Sequence, residues 1–284
     1  MRRRDFVTFL SGATAWAATA RAQESRRLIG VLGSASYGAF PGVETSFIRG
    51  LKATGFVEGK NISIEWRWAK GQYNRLPLLA GELLSRNVAV IVTFDVPASF
   101  AAKAAAKTTP IVFLAGADPV RLGLVDSLNQ PHGNLTGVSH LVNSLAPKQL
   151  EFLHELVPNF RRVAFLVNPS NRNSRIDTPE VRAAADALGQ DLEVLTAGTE
   201  NELDATFAKM ARQQIDALVV KADPFFISRL ERLVVLAAHY AVPTIYPLPA
   251  FVKVGGLMSY GADLADSYRQ LGTYTGRILK GPSL

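Results

Sequence analysis

Residues 89–100 read AVIVTFDVPASF. Six uncharged residues, Ala89 to Phe94, run without interruption into Asp95, and Pro97 follows two positions later. A strand with no wet face belongs in a sheet covered by helices on both sides, the usual condition of a parallel sheet. A proline just behind it suits the first turn of the next helix, where its missing N–H has no partner to lose. The expected unit is strand, helix, strand.

The unit recurs in both directions. Apolar runs "IVFL" (111–114), "VAFLV" (163–167) and "ALVV" (217–220) repeat the pattern. Strands are expected at 27–32, 61–68, 89–94, 110–114 and 134–138, then at 161–167, 191–195, 217–221, 243–246 and 257–260. Helix-period segments fill nearly every gap, which argues for βαβ units. "NISIEWRW" (61–68) differs: Ile62, Ile64, Trp66 and Trp68 alternate with Asn61, Ser63, Glu65 and Arg67. One wet face places it at a sheet edge, as the second strand of a 2-1-3-4-5 doubly wound order requires, although half an antiparallel hairpin alternates in the same way.

Helix punctuation agrees. Val43, Phe47 and Leu51 form one stripe that Gly55 closes, and Thr178-Pro179-Glu180 reads as N-cap, first-turn proline and acid, with Gly189 as the stop. Pro119 and Pro224 follow strands as Pro97 does. The array occurs twice, so the fold expected is α/β: two doubly wound parallel-sheet lobes joined by a hinge. Lobe one takes residues 25–139 plus 256–284 and lobe two residues 140–255, with the segment from 256 returning to lobe one as strand and helix. Two such lobes place a ligand in the cleft between them.

The first 22 residues stand apart. Arg2, Arg3 and Arg4 precede an uncharged stretch from Phe6 to Ala20, and Ala20-Arg21-Ala22 fits a leader cleavage pattern with Gln23 as the mature start. Arg3-Arg4-Asp5-Phe6-Val7 is similar to a twin-arginine signal; the general secretory route is the other reading. The stretch is shorter than the roughly 20 apolar residues a membrane span needs. The chain has no cysteine, hence no disulfide or lipid-modified cysteine. Export to a periplasm, with no stable membrane insertion after leader removal, is expected. The leader takes four of 31 basic and one of 24 acidic side chains and leaves a net charge of +4. Without a basic cluster, nucleic-acid binding is not expected.

Ligands of open parallel sheets bind beyond the carboxyl ends of strands. Those ends supply Ser34 and Tyr37, Asp95, Asp118, Asn168 and Ser170, Asp223 and Phe225, and Tyr246, with Tyr260 beside the last strand. Asp118-Pro119 and Asp223-Pro224 read equally as N-cap and first-turn pairs, and Phe225-Phe226 equally as core. Lys221 ends a buried strand and needs a ligand or a neighbouring carboxylate. Asp95 is the foremost polar contact. The four histidines are scattered, and neither H-E-x-x-H, G-x-S-x-G nor a Walker loop occurs. No catalytic residue, metal or cofactor is expected.

The segments FIRGLKATGFVEGKNISIEWRWAKGQYNRLPLLAGELL (47–84), TTPIVFLAGADPVRLGLVDSLNQPHGNLTGVSHL (108–141), LEFLHELVP (150–158), DALVVKADPFF (216–226) and GGLMSYGADLADSYRQLGTYTGRILKG (255–281) resemble the substrate-binding components of ABC importers. The resemblance runs from about Arg27 to Gly281. It implies a type I periplasmic binding fold whose lobes close on a small molecule, and ABC permease subunits in the inner membrane as partners. It also implies ligand contacts at Ser34, Ser36 and Tyr37, at Asp95, Ala98 and Ser99, and at Asp118, Asn168, Ser170, Asp223, Phe225 and Tyr246. Relatives often read Gly-Thr-Pro-Ala-Ala where this chain has Asp95-Val96-Pro97-Ala98-Ser99; the added carboxylate favours an amine or hydroxyl on the ligand. Relatives also continue past "GRILKG", so the chain is expected to be a C-terminally shortened member, incomplete at that end.

The expected function is a periplasmic receptor that captures a small polar molecule, an amino acid or aromatic carboxylate, and delivers it to a permease. Asp95→Ala and Asp223→Ala are expected to weaken binding with little change in melting. A sensory ligand-binding component and an exported α/β enzyme are the alternatives.

Overall fold

The computed structural model describes residues 26–128, 133–140, 145–158 and 160–281. The leader with Ala22 and Gln23, and residues 282–284, lie outside the described residues.

Among the described residues, ten strands form two five-stranded sheets. The first holds β1 (Arg27–Gly33), β2 (Ile62–Trp68), β3 (Val90–Thr93), β4 (Ile111–Ala115) and β5 (Leu135–Ser139) in the order β2-β1-β3-β4-β5, all parallel. The second holds β6 (Arg162–Val167), β7 (Asp191–Thr196), β8 (Ala217–Val220), β9 (Thr244–Tyr246) and β10 (Met258–Ser259) in the order β10-β9-β8-β6-β7, again all parallel. Counted within each sheet, both orders are 2-1-3-4-5. Ile29 of β1 stands between Ile64 and Val90, so the first apolar strand is central and β2 is the edge. The aromatic face of β2 turns inward, where Trp66 and Trp68 stack at 5.9 Å and meet Phe94 edge-on. Its other face carries Glu65 and Arg67, the latter ion-paired to Glu82 at 2.8 Å.

Helices cover both faces of each sheet. In the first lobe these are α1 (Val43–Ala53), α2 (Leu76–Ser85) and α3 (Val96–Ala105). The second lobe has α4 (Ala146–Leu156), α5 (Asn173–Ala187), α6 (Glu200–Arg212), α7 (Pro224–Ile227), α8 (Leu230–His239) and α9 (Pro249–Lys253). The last helix, α10 (Ala265–Lys280), crosses back to lie on α1. Its approach depends on glycine: a Cβ at Gly272 would stand 2.1 Å from the Phe47 carbonyl oxygen, and one at Gly50 2.0 Å from that of Arg269.

Three expectations are corrected. The strand expected to rejoin lobe one from residue 256 is β10, which pairs with β9 in the second sheet, so the crossing back begins after it. The reason is reach, because a short crossover from β9 leaves the chain beside the strand it came from. Thr178-Pro179 does not start a helix: α5 begins at Asn173 and Pro179 lies inside it. The earlier start is stabilised by Asn171, whose side-chain oxygen accepts the Asn173 N–H at 3.1 Å, and by Ser174, whose hydroxyl donates to the Asn168 carbonyl. Asp118-Pro119 opens a turn and not a helix. Asp118 Oδ1 accepts the Val120 N–H at 2.8 Å, and Gly123 at φ 72° closes the turn with a left-handed residue.

Candidate functional site

The carboxyl ends of both sheets face one another across a cavity of about 90 Å3. The first lobe contributes Phe40, the turn Phe94-Asp95-Val96-Pro97 behind β3, Leu114, Gly116 and His140, and α10 adds Tyr268. The second contributes Gln149 from α4, Asn171, Asn173 and Asp177 from the start of α5, Lys221-Ala222-Asp223 behind β8, and Pro247 and Leu248 behind β9. Apolar groups make up most of the wall's surface, and among its eight polar side chains Asp95 and His140 are half-buried and the other six buried.

Asp95 is the N-cap of α3. Its extended backbone lets Oδ1 accept the Ala98 N–H at 3.0 Å, while Oδ2 accepts the Ser34 N–H at 2.7 Å and the Ser34 hydroxyl donates to Oδ1. Burial pushes this carboxyl up to about 6; the Ser34 and Ala98 donors oppose the shift and the nearby Asp223 adds to it. Ser99 is buried beneath, its hydroxyl donating to the Asp95 carbonyl and shared with Thr93.

Asp223 caps α7 and is fully buried. Four donors converge on it: the Phe225 N–H at 2.9 Å, Asn168 Nδ2 at 3.2 Å, Asn171 Nδ2 at 2.7 Å and, from the other lobe, the Tyr73 hydroxyl at 2.8 Å. Burial raises its proton affinity and these donors pull it back. The same burial, with Asp223 beside it, holds the Tyr73 hydroxyl well above its ordinary range.

Lys221 directly follows β8, inside the cavity, and is ion-paired with Asp177, both about 98% buried. Burial draws its ammonium down to about 7, against the pull of Asp223. Asn173 lies one helical turn before Asp177, and its side-chain oxygen has no hydrogen-bond partner. His140 Nδ1 likewise has none, and burial lowers that ring to about 4, so it is neutral at neutral pH. Gln149 is committed elsewhere, donating to the Tyr260 carbonyl at 2.6 Å.

Of the residues singled out from the sequence, Asp95 and Asp223 line the cavity. Ser34, Ala98 and Ser99 lie behind it as the support of Asp95. Asn168 supports Asp223, and the Ser170 N–H is turned to Asn168. The Ser36 N–H crosses to the Ser228 hydroxyl of the second lobe at 3.0 Å. Phe225 is buried core, and Tyr246 is buried against Phe251 at 4.6 Å. Tyr37 is 71% exposed, Tyr260 packs edge-on to Phe152, and Asp118 serves its own turn. Lys221 met the neighbouring carboxylate its position called for. Asn173, Asp177, His140 and Tyr268 were missed. The signal available was the polar run Asn171 to Asp177, in which Asn173 and Asp177 share a helix face.

Contacts outside the cavity also join the lobes. Arg229 donates to the Lys70 carbonyl at 2.5 Å, and Arg172 lies over the Phe100 ring at 4.1 Å. Two parallel-sheet lobes clasped around a buried cavity of mixed polarity define a solute-binding protein. The chain belongs to the ABC transporter substrate binding protein family, whose description matches residues 29–283. It is 26% identical over 261 residues, 92% of this chain and 75% of the relative, to a tyrosine-binding protein of Clostridioides difficile strain R20291. It superposes with a TM-score of 0.81 and 27% identity on an ABC domain from Streptococcus pneumonia in complex with L-Trp, covering 91% of this chain and 86% of that one. Against the ligand-free, open structure of a substrate binding protein with adhesive properties from Clostridium difficile the identity is 25% and the coverage 90% and 86%, but the TM-score is 0.58. At nearly equal identity, the chain therefore superposes more closely on the ligand complex than on the ligand-free, open structure. The family is one of solute-binding proteins, not enzymes.

Proposed function

We propose that this protein is the receptor of an importer, capturing an amino acid with an aromatic side chain, or an aromatic carboxylate, between its lobes and presenting the closed form to ABC permease subunits in the inner membrane. The observation that carries the reading is the cavity itself: largely apolar walls from both lobes that also hold a set of mostly buried polar groups. A solute touching both walls stabilises the closed arrangement over the open one by its differential affinity for the two. The relatives named for tyrosine and for L-Trp support an aromatic amino acid. The leader-like N-terminus supports a periplasmic location, and no helix among the described residues is long and apolar enough to cross a membrane.

The test is a melting-point screen with L-tyrosine, L-tryptophan, L-phenylalanine and 3,4-dihydroxybenzoate. A ligand of the native state raises the melting point with the logarithm of its concentration. At least one of these solutes is expected to do so; flat curves for all of them would refute the aromatic assignment.

A further inference from the structure

Three carboxylates and one lysine line the cavity, and their hydrogen bonds separate supports from free groups. Asp223 accepts four donors and Asp95 three, all from the protein. Neither has much capacity left for a solute, since a carboxylate offers about four acceptor positions. Lys221 is different. Its ammonium has three N–H donors and one ion-pair partner, Asp177, inside the cavity. Asn173, 6% exposed and also lining the cavity, presents a side-chain oxygen with no donor. A buried acceptor left bare and an ammonium with spare donors are each costly unless something fills them. Lys221 is paired with Asp177, and Asn173 stands one helical turn before Asp177 on the same helix face.

We propose that Lys221, Asp177 and Asn173 form the subsite that reads the polar head of the solute, and that this head is the zwitterion of an α-amino acid. The solute carboxylate meets the spare donors of Lys221. The solute ammonium, on the adjacent carbon, is held by Asn173 Oδ1 and the Asp177 carboxylate. The side chain then lies against Phe40, Phe94, Leu248 and Tyr268, on the lobe-one and β9 sides of the cavity. Lys221 is thereby a specificity residue that separates amino acids from amines, and Asn173 one that separates them from simple acids. This rests on the receptor reading above and narrows its solute class.

The experiment uses titration calorimetry on the purified protein. The proteinogenic L-amino acids are screened, and the tightest is compared with its decarboxylated amine and its deaminated acid. The wild type is expected to prefer the amino acid to each analogue by about tenfold or more, as for a charge-assisted hydrogen bond. Lys221→Met alone would strand Asp177, so the diagnostic variant is Lys221→Met with Asp177→Asn. It should lose the preference over the amine, and Lys221→Arg should retain it. Asn173→Ala should reduce the preference over the deaminated acid several-fold, the Asp177 carboxylate holding the remainder. Melting curves verify that each variant is folded. Wild-type preferences in the folded double variant would overturn the subsite. Binding of 3,4-dihydroxybenzoate without any amino acid would overturn it and leave the receptor reading standing; binding of neither would sink both.

Discussion

Asp223 gathers donors from three separate stretches of the chain, and one of them, Tyr73, belongs to the opposite lobe. That changes what its removal does. The sequence alone suggested a binding residue whose loss spares the melting point, whereas Asp223→Ala leaves several buried donors bare and should cost about 3 kcal/mol or more in urea unfolding. A loss under about 1 kcal/mol would mean that the donors find water instead. Asp95 gives a pH signature. Burial lifts it from 3.8 to about 6, so between those values the native chain keeps a proton that the unfolded chain has released. Its contribution to stability therefore falls as pH rises through that window and levels off above it. Asp95→Asn should flatten this part of the melting-point curve between pH 4 and 7, and an unchanged slope would exclude Asp95 as its source. Both aspartates were legible in the sequence because a lone carboxylate at the end of an apolar strand has few uses. Asn173, Asp177 and Tyr268 were not, because they reach the cavity from helices whose rotation is decided by packing.

At the scale of elements, the contact of α10 with α1 is where the return of the chain is secured. Gly272 and Gly50 let the two backbones touch, so Gly272→Leu has no space to occupy and should destabilise the first lobe by about 3 kcal/mol, the upper range for overpacking. Urea unfolding measures it; a neutral substitution would show that α10 can lift away without consequence. The order of the first sheet was legible, since the uninterrupted apolar run of β3 marks a central strand and the alternation of Ile62 to Trp68 marks an edge. The start of α5 was not. Thr178-Pro179 has the chemistry of a helix start, yet Asn171 and Ser174 supply a competing one further upstream. The placement of β10 also escaped, because Leu257 to Tyr260 read as a strand but carry nothing that names its neighbour.

For the whole molecule, closure draws on groups remote from the cavity as well as on the solute. Arg229 reaches the Lys70 carbonyl, and its side chain is about 16% exposed. Arg229→Ala removes a contact that exists only when the lobes are together, so about 1 kcal/mol of closing free energy, or roughly fivefold in affinity, should be lost without touching the cavity. Calorimetry reads the affinity, and solution scattering should show a larger radius of gyration for the variant. An unchanged affinity and radius would mean that Arg229 does not bias closure. The aromatic cluster supplies a last consequence. Trp66 and Trp68 lie stacked, and the ring of Phe94, which they both contact edge-on, forms part of the cavity wall. Any solute that presses on Phe94 disturbs the paired indoles. The fluorescence colour and near-ultraviolet dichroism of this protein should thus register each binding event without an added dye.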